Sequence, residues 1–228
     1  MSGRLSSGPL GGMVGSLVEE LALHVKTVLI SAVGIIAVIP GPDQKGNLRV
    51  KGPVGSAITY LGIALLLAPW IVLPFLPQPR YVGLIGSIMS PLGVLWLLAG
   101  LTIYAASLKH LLPAFREPFS EFTPSDLVVR GPYRRVRHPI YLSCLLIIAG
   151  LYLMRSASLS TLFLPLLWAV LRAVTVYEER TILIPKFGEA YLLYRKEVPR
   201  TILGPIAGIL AAALYVFLAA LTLLPSPL

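Results

Sequence analysis

Charged and hydroxyl side chains gather at two places in an otherwise apolar chain. The first is the run Arg130-Gly131-Pro132-Tyr133-Arg134-Arg135-Val136-Arg137-His138-Pro139-Ile140-Tyr141. The second begins at Glu178-Glu179-Arg180 and continues through Phe187-Gly188-Glu189-Ala190-Tyr191 to Tyr194 and Pro199-Arg200. Gly131-Pro132 reads as a turn. Pro139 reads as the first residue of a helix, where its missing N–H costs nothing. His138 then sits at the cap and Tyr141 just inside. Adjacent carboxylates at the end of an apolar helix are costly unless paired or solvated. Carboxylates hold ammonium groups, and a helix N-terminus flanked by arginine and histidine holds anions. The chemistry on offer is the binding of a charged ligand. Metal chemistry is not indicated: Cys144 is the single cysteine, and His24, His110 and His138 show no ligand spacing.

The elements that must position these residues follow from composition. Of 228 residues, 56% are hydrophobic and 13% charged, and mean hydropathy is +0.82. A soluble globular chain carries about 25% charged residues. The composition excludes an ordinary cytosolic enzyme, a disordered tail protein and a disulfide scaffold, and points to an all-α integral membrane protein. Reading the uncharged gaps gives about six transmembrane helices, near 21–39, 54–77, 82–106, 139–154, 157–180 and 202–224. An open sheet edge cannot sit in lipid. Pro69, Pro74, Pro91, Pro165 and Pro205 are read as kinks within spans. Residues 1–16 read as a flexible Gly/Ser-rich tail, not a signal peptide. Residues 17–108 hold three helices, 109–200 the catalytic region, and 201–228 a last helix. Gly204 and Gly208 form a small-xxx-small pair that packs or dimerises helices; oligomeric state stays open.

With six crossings, the stretches 40–53, 109–138 and 180–200 share one side and carry 14 of the 19 Lys and Arg residues. The positive-inside rule makes that side cytoplasmic. The net charge of +9 is thus read as basic loops beside anionic lipid, not as nucleic-acid binding. A very short connection near Arg155 makes the fourth and fifth helices an antiparallel pair. The start of one and the end of the other then meet, bringing His138, Tyr141, Glu178 and Glu179 to one face. Plainer readings stand beside this one: the basic run as an anchor, the glutamates paired with Arg180 and Arg172, Tyr133 and Tyr141 as interfacial aromatics.

Taken in order, Leu127-Val128, Gly131-x-Tyr133, Arg137-His138-Pro139-x-Tyr141, Glu178-Glu179, Phe187-Gly188-Glu189-x-Tyr191, Tyr194 and Pro199-Arg200 resemble the isoprenylcysteine carboxyl methyltransferase family. The related phospholipid N-methyltransferases share part of the pattern. The resemblance covers about 109–200, and the first three helices match only as generic spans. It implies a membrane methyltransferase that uses S-adenosylmethionine without a Rossmann fold. The cofactor pocket it implies is made by Leu127, Val128, Tyr133, His138, Pro139, Tyr141 and Glu179, and the spacing back from Phe187 favours Glu179 over Glu178. Ser143 stands where the family often has glycine. In eukaryotic members an arginine one turn before the glutamate is tied to substrate; here that position is Thr175, with Arg172 one turn further on.

Chemically, a carboxylate such as Glu179, with Glu178 beside it, suits the cofactor's ammonium. Arg137, His138 and the helix N-terminus suit its carboxylate, and Asp126 is a candidate for the ribose hydroxyls. Arg172 and Glu179 are the candidates for catalytic roles. Methyl transfer is in line, so positioning dominates over acid–base work. A carboxylate acceptor needs no base, whereas an amine must first lose a proton; no base stands out. The expected partners are membrane lipids and a lipophilic substrate entering from the bilayer. An aminolipid N-methyltransferase, an NADPH-dependent sterol-type reductase and a non-enzymatic membrane protein are the rival readings.

Overall fold

The computed structural model describes residues 9–38, 53–115 and 124–223. Nine helices account for nearly all regular structure among them: α1 (Pro9–Val38), α2 (Pro53–Val72), α3 (Gly83–Leu111), α4 (Pro139–Met154), α5 (Ser158–Thr161), α6 (Leu164–Glu178), α7 (Ile184–Phe187), α8 (Glu189–Glu197) and α9 (Pro205–Leu223). No strand is present among the described residues; one isolated bridge joins Arg80 and Ala157. The all-helical class is as expected, because apolar runs must satisfy their own backbone groups. Two stretches, Gly83–Ala114 and Ser158–Phe187, are long and apolar enough to cross a membrane. Leu84, Leu95 and Leu98 of α3 are exposed, which suits a lipid-facing surface better than a watery one.

Helix boundaries differ from expectation where proline or glycine intervenes. Pro69 and Pro91 do lie inside α2 and α3. Pro74 instead sits in a 3₁₀ turn, Leu73–Phe75, that ends the second helix early. The continuous helix expected over 157–180 is broken. Its first turn is α5, and Pro165 opens the first turn of α6 instead of kinking a longer helix, the position where proline is pre-organised. Helix α1 already begins at Pro9, inside the stretch read as a tail. The 40–53 loop lies almost wholly outside the described residues.

The closest helix pair is α3 with α4. A Cβ on Gly150 would lie 2.5 Å from Leu97 N and 2.8 Å from Gly93 O, and one on Gly100 would lie 2.9 Å from Ile147 N. Three glycines thus let the two backbones touch, antiparallel, with numbers rising along α3 as they fall along α4. The fourth and fifth expected helices meet less intimately. They share a core of Ile148, Tyr152, Leu167 and Leu171, extended by Trp70, Leu73 and Ile202, and their far ends meet at the polar cluster described below.

The opposite end is tied by hydrogen bonds. The Tyr81 hydroxyl lies 2.9 Å from Thr161 Oγ1 and 3.0 Å from Thr222 Oγ1. Arg80 Nη1 donates to the Arg155 carbonyl at 2.7 Å. This knot fixes the C-terminal end of α9 against α5 and the Arg80–Tyr81 segment.

Candidate active site

His138 precedes α4 with φ −122° and ψ 66°, and Pro139 opens the helix. Its ring is held between the two carboxylates. Nε2 lies 3.0 Å from Glu179 Oε1, and because a carboxylate only accepts, Nε2 carries the proton of that contact. Nδ1 lies 3.6 Å from Glu178 Oε2, too far for a hydrogen bond. The Tyr141 hydroxyl donates to Glu178 Oε2 at 3.0 Å, and its ring stands 5.7 Å from that of His138.

Arg137 is buried and fully engaged. Nε donates to Glu179 Oε1 at 2.9 Å, Nη1 to the Val198 carbonyl at 2.7 Å, and Nη2 to Thr201 Oγ1 at 2.9 Å. The backbone follows suit: Arg137 N donates to Arg200 O at 2.9 Å and His138 N to Thr201 O at 3.0 Å. The segment Val198–Thr201 is therefore a strap across the start of α4. Glu179 is 4% exposed, so the register read from Phe187 selects the inward carboxylate. Its cation, however, is Arg137, and not Arg172 or Arg180. Glu178 is a quarter exposed, and among the described residues no guanidinium faces it.

Glu179 opens a π-helical segment, Glu179–Leu183, between α6 and α7. Such wide turns recur at functional sites. Here the turn lets two adjacent carboxylates face one cluster, although neighbouring α-helical residues point about 100° apart. Behind it, α8 packs Tyr191, Tyr194 and Val198 with Leu127, Leu183 and Phe187. The Tyr194 hydroxyl donates to the Tyr133 carbonyl at 2.7 Å, anchoring the turn Gly131–Arg134. Gly131 has φ +59°, and any Cβ there would strike the His110 ring. The position is held to glycine twice over.

Burial raises the pKa of the Tyr133, Tyr191 and Tyr194 hydroxyls, with the carboxylates Glu178 and Glu179 adding to it. These phenols stay protonated and serve as donors, not bases. The Tyr191 hydroxyl is fully buried beside the Glu179 carboxylate.

The structure thus gathers Arg137, His138, Pro139, Tyr141, Glu178 and Glu179, with Tyr133 and Leu127 one layer behind. Val128 is partly buried beside Leu127, and Asp126 is exposed, with no side-chain contact to the cluster among the described residues. Arg172 lies further up α6, where Nη1 donates to Thr175 Oγ1 at 3.2 Å. Sequence reasoning missed Val198, Thr201 and Tyr191 as parts of the cluster. Pro199-Arg200 and Tyr191 lay in the quoted motif, so the signal was present, but backbone acceptors leave no mark on residue type.

Residues 89–190 match the phospholipid methyltransferase family. The match bears out the family resemblance at the level of isoprenylcysteine and phospholipid methyltransferases together. The matched region runs from α3 into α8 and contains the polar members of the cluster except Tyr191, Thr201 and the carbonyls of the strap. Helix α9 lies outside it. No curated protein and no solved structure matches the chain.

Proposed function

We propose that the protein is a multi-pass membrane methyltransferase that uses S-adenosylmethionine and acts on a lipid-like substrate, with a carboxylate oxygen favoured as acceptor. The observation that carries the reading is the buried cluster of Arg137, His138 and Glu179, assembled within the family match from the cap of α4 and the end of α6. The donor set fits the cofactor. Glu178, with no guanidinium of its own, suits the ammonium. The first turn of α4 suits the carboxylate. Bound there, S-adenosylmethionine supplies an activated methyl group. The chain's own part is to hold, orient and keep water out. Glu179 keeps Arg137 and the His138 ring in place, and Arg137 fastens the strap.

A carboxylate acceptor is already ionised and needs no base, whereas an amine must first lose a proton. A phospholipid amine is the second reading, favoured by the description of the matched family. The basic residues at the site end, Arg134, Arg135, Arg195 and Arg200 among them, support a cytoplasmic site under the positive-inside rule.

The test is a melting experiment in detergent with S-adenosylhomocysteine against NADPH. A ligand that binds the folded state raises the melting temperature by mass action. A shift with S-adenosylhomocysteine and none with NADPH is expected; the reverse overturns the reading in favour of a reductase. Methyl-labelled cofactor with a membrane lipid extract then separates acceptors. An ester releases label as methanol in mild base, and an N-methyl product does not.

A further inference from the structure

The end of the molecule away from the cluster carries two arginines on separate segments. Arg80 lies just before α3, at the head of the Gly83–Ala114 stretch that is long and apolar enough to cross a membrane. Arg155 directly follows α4. Both therefore stand at the level of lipid headgroups, where a span gives way to water. The two segments are laced together. Arg80 bridges to Ala157, Tyr81 N donates to Ser156 O at 2.9 Å, and Ser158 N donates to Pro79 O at 3.3 Å. Ser156 has φ 51°, a left-handed conformation uncommon outside glycine. It turns the chain back from the end of α4 onto Arg80 and Tyr81.

Each side chain is seated, and neither has a counter-charge. Arg80 Nη1 donates to the Arg155 carbonyl at 2.7 Å, capping α4, and its other N–H groups remain for a ligand. The Arg155 guanidinium stands 5.1 Å over the Phe75 ring. Among the described residues the carboxylates in ion pairs are Glu178 and Glu179, at the opposite end of the molecule; Glu19 and Glu20 of α1 pair with neither arginine. Partial burial, and after it the Arg155 charge, disfavour the Arg80 cation. Two guanidiniums held within each other's field repel, and an anion shared between them offsets the repulsion. Their planar forks match the oxygens of a phosphate. The residues beside them are apolar and exposed: Phe75 by 56%, Val82 by 74% and Leu84 by 76%. Cations next to exposed apolar side chains at this depth suit the head and first chain carbons of a lipid.

We propose that Arg80 and Arg155 form a binding site for the phosphate of an anionic membrane lipid in the leaflet opposite the candidate active site, with Phe75, Val82 and Leu84 against its chains. The bound phosphate adds to the hydrogen bonds that already join the α2–α3 connection to the end of α4. Two arginines at the end poorer in basic residues run against the positive-inside rule, and a resident anion offsets their charge. The site stands at the far end of α4 from His138 and is independent of the methyltransferase reading.

The full-length protein in a zwitterionic detergent is melted with short-chain phosphatidic acid, with the matching diacylglycerol and with inorganic phosphate. A ligand of the folded state raises the melting temperature by mass action. A saturable rise with phosphatidic acid is expected, and none with diacylglycerol or with inorganic phosphate at the same concentration. Arg155→Gln should weaken the apparent affinity about tenfold, through lost charge-assisted hydrogen bonds. Arg155→Lys should keep part of it. Arg155 suits the test because its guanidinium stacks on a ring and caps no helix, so the variant should fold. Arg80→Gln also removes the cap on α4 and is compared with its own unliganded melting. Arg195→Gln, at the other end, removes the same charge and should leave the response unchanged. No rise with phosphatidic acid, an equal rise with diacylglycerol, an unchanged response in Arg155→Gln, or an equal loss in Arg195→Gln overturns the site. An equal rise with inorganic phosphate keeps the two arginines as a phosphate site and overturns the lipid as its carrier.

Discussion

Arg137, His138 and Glu179 form a closed unit in which one carboxylate oxygen, Oε1, takes both a guanidinium and an imidazole N–H. Removing one partner of a buried pair leaves the other uncompensated, at a cost of about 3–5 kcal/mol. Glu179→Gln should therefore lower the melting temperature clearly, before any ligand is added. Glu178→Gln should not: its amide oxygen can still accept from Tyr141, and the side chain is partly solvated. Its effect belongs to the ligand. Loss of a charge-assisted hydrogen bond to the ammonium is worth roughly 1.5–3 kcal/mol, or about tenfold to a hundredfold in S-adenosylhomocysteine affinity. Calorimetry and melting on both variants check this division. Equal melting losses would mean that Glu179 is not the structural member, and unchanged affinity in Glu178→Gln would take the ammonium away from Glu178. The sequence made the meeting of His138 with the two glutamates legible, because a short connection between two helices forces their far ends together. It did not show which carboxylate already has a cation. That depends on the direction of one arginine side chain, and Arg137 was one of six basic residues in its loop.

At the scale of elements, the site stands on the contact between α3 and α4. Gly93, Gly100 and Gly150 sit at three points along it, and each added Cβ would meet backbone or side-chain atoms of the other helix. Gly150→Ala gains helix propensity, worth about 1 kcal/mol. It must also push against Leu97 N and Gly93 O, and overpacking a tight contact costs about 1–3 kcal/mol. Because the obstacles are backbone, the net effect should be a lower melting temperature and weaker S-adenosylhomocysteine binding, since α4 carries His138. A stabilised Gly150→Ala variant would show that the helices can separate freely. This contact was not legible in the sequence. Glycines at helical spacing are common, and the pair singled out, Gly204 and Gly208, lies elsewhere, at the start of α9. The break at Pro165 was hidden for a related reason. Membrane helices tolerate proline within a span, so its presence alone does not say whether a helix bends or restarts.

The whole molecule has two unlike ends. The site end gathers Arg134, Arg135, Arg195 and Arg200, and the other end holds Arg80 and Arg155, with Arg155 stacked 5.1 Å over the Phe75 ring. Single cysteines at Arg135 and Arg155, in a Cys144→Ser background, should divide in intact cells. A membrane-impermeant thiol reagent added outside should reach position 155 and not 135; labelling at 135 would reverse the orientation. The buried phenols set a second global property. Tyr133, Tyr191 and Tyr194 have raised pKa values in the folded protein, whereas an unfolded tyrosine titrates near about 10. Above that pH the unfolded chain releases protons that the folded chain retains, so stability falls as pH rises. Their contribution is complete below about pH 10 and is lost on rising above it. Melting temperatures between pH 9 and 12 should decline, and Tyr194→Phe should make the decline shallower. A flat profile would place these hydroxyls in contact with water.

The strap Val198–Thr201 has a consequence for the order in which the protein is made. The ribosome delivers a chain N-terminus first, and Arg137 finds its acceptors at Glu179, Val198 and Thr201, all well downstream. While those residues are still within the ribosome, the start of α4 carries a guanidinium with no fixed partner. The last acceptors arrive just ahead of α9. Completion of the site and delivery of the final helix are thus one event in synthesis, and a nascent chain halted before Val198 holds Arg137, His138 and Glu179 without the fastening that closes them.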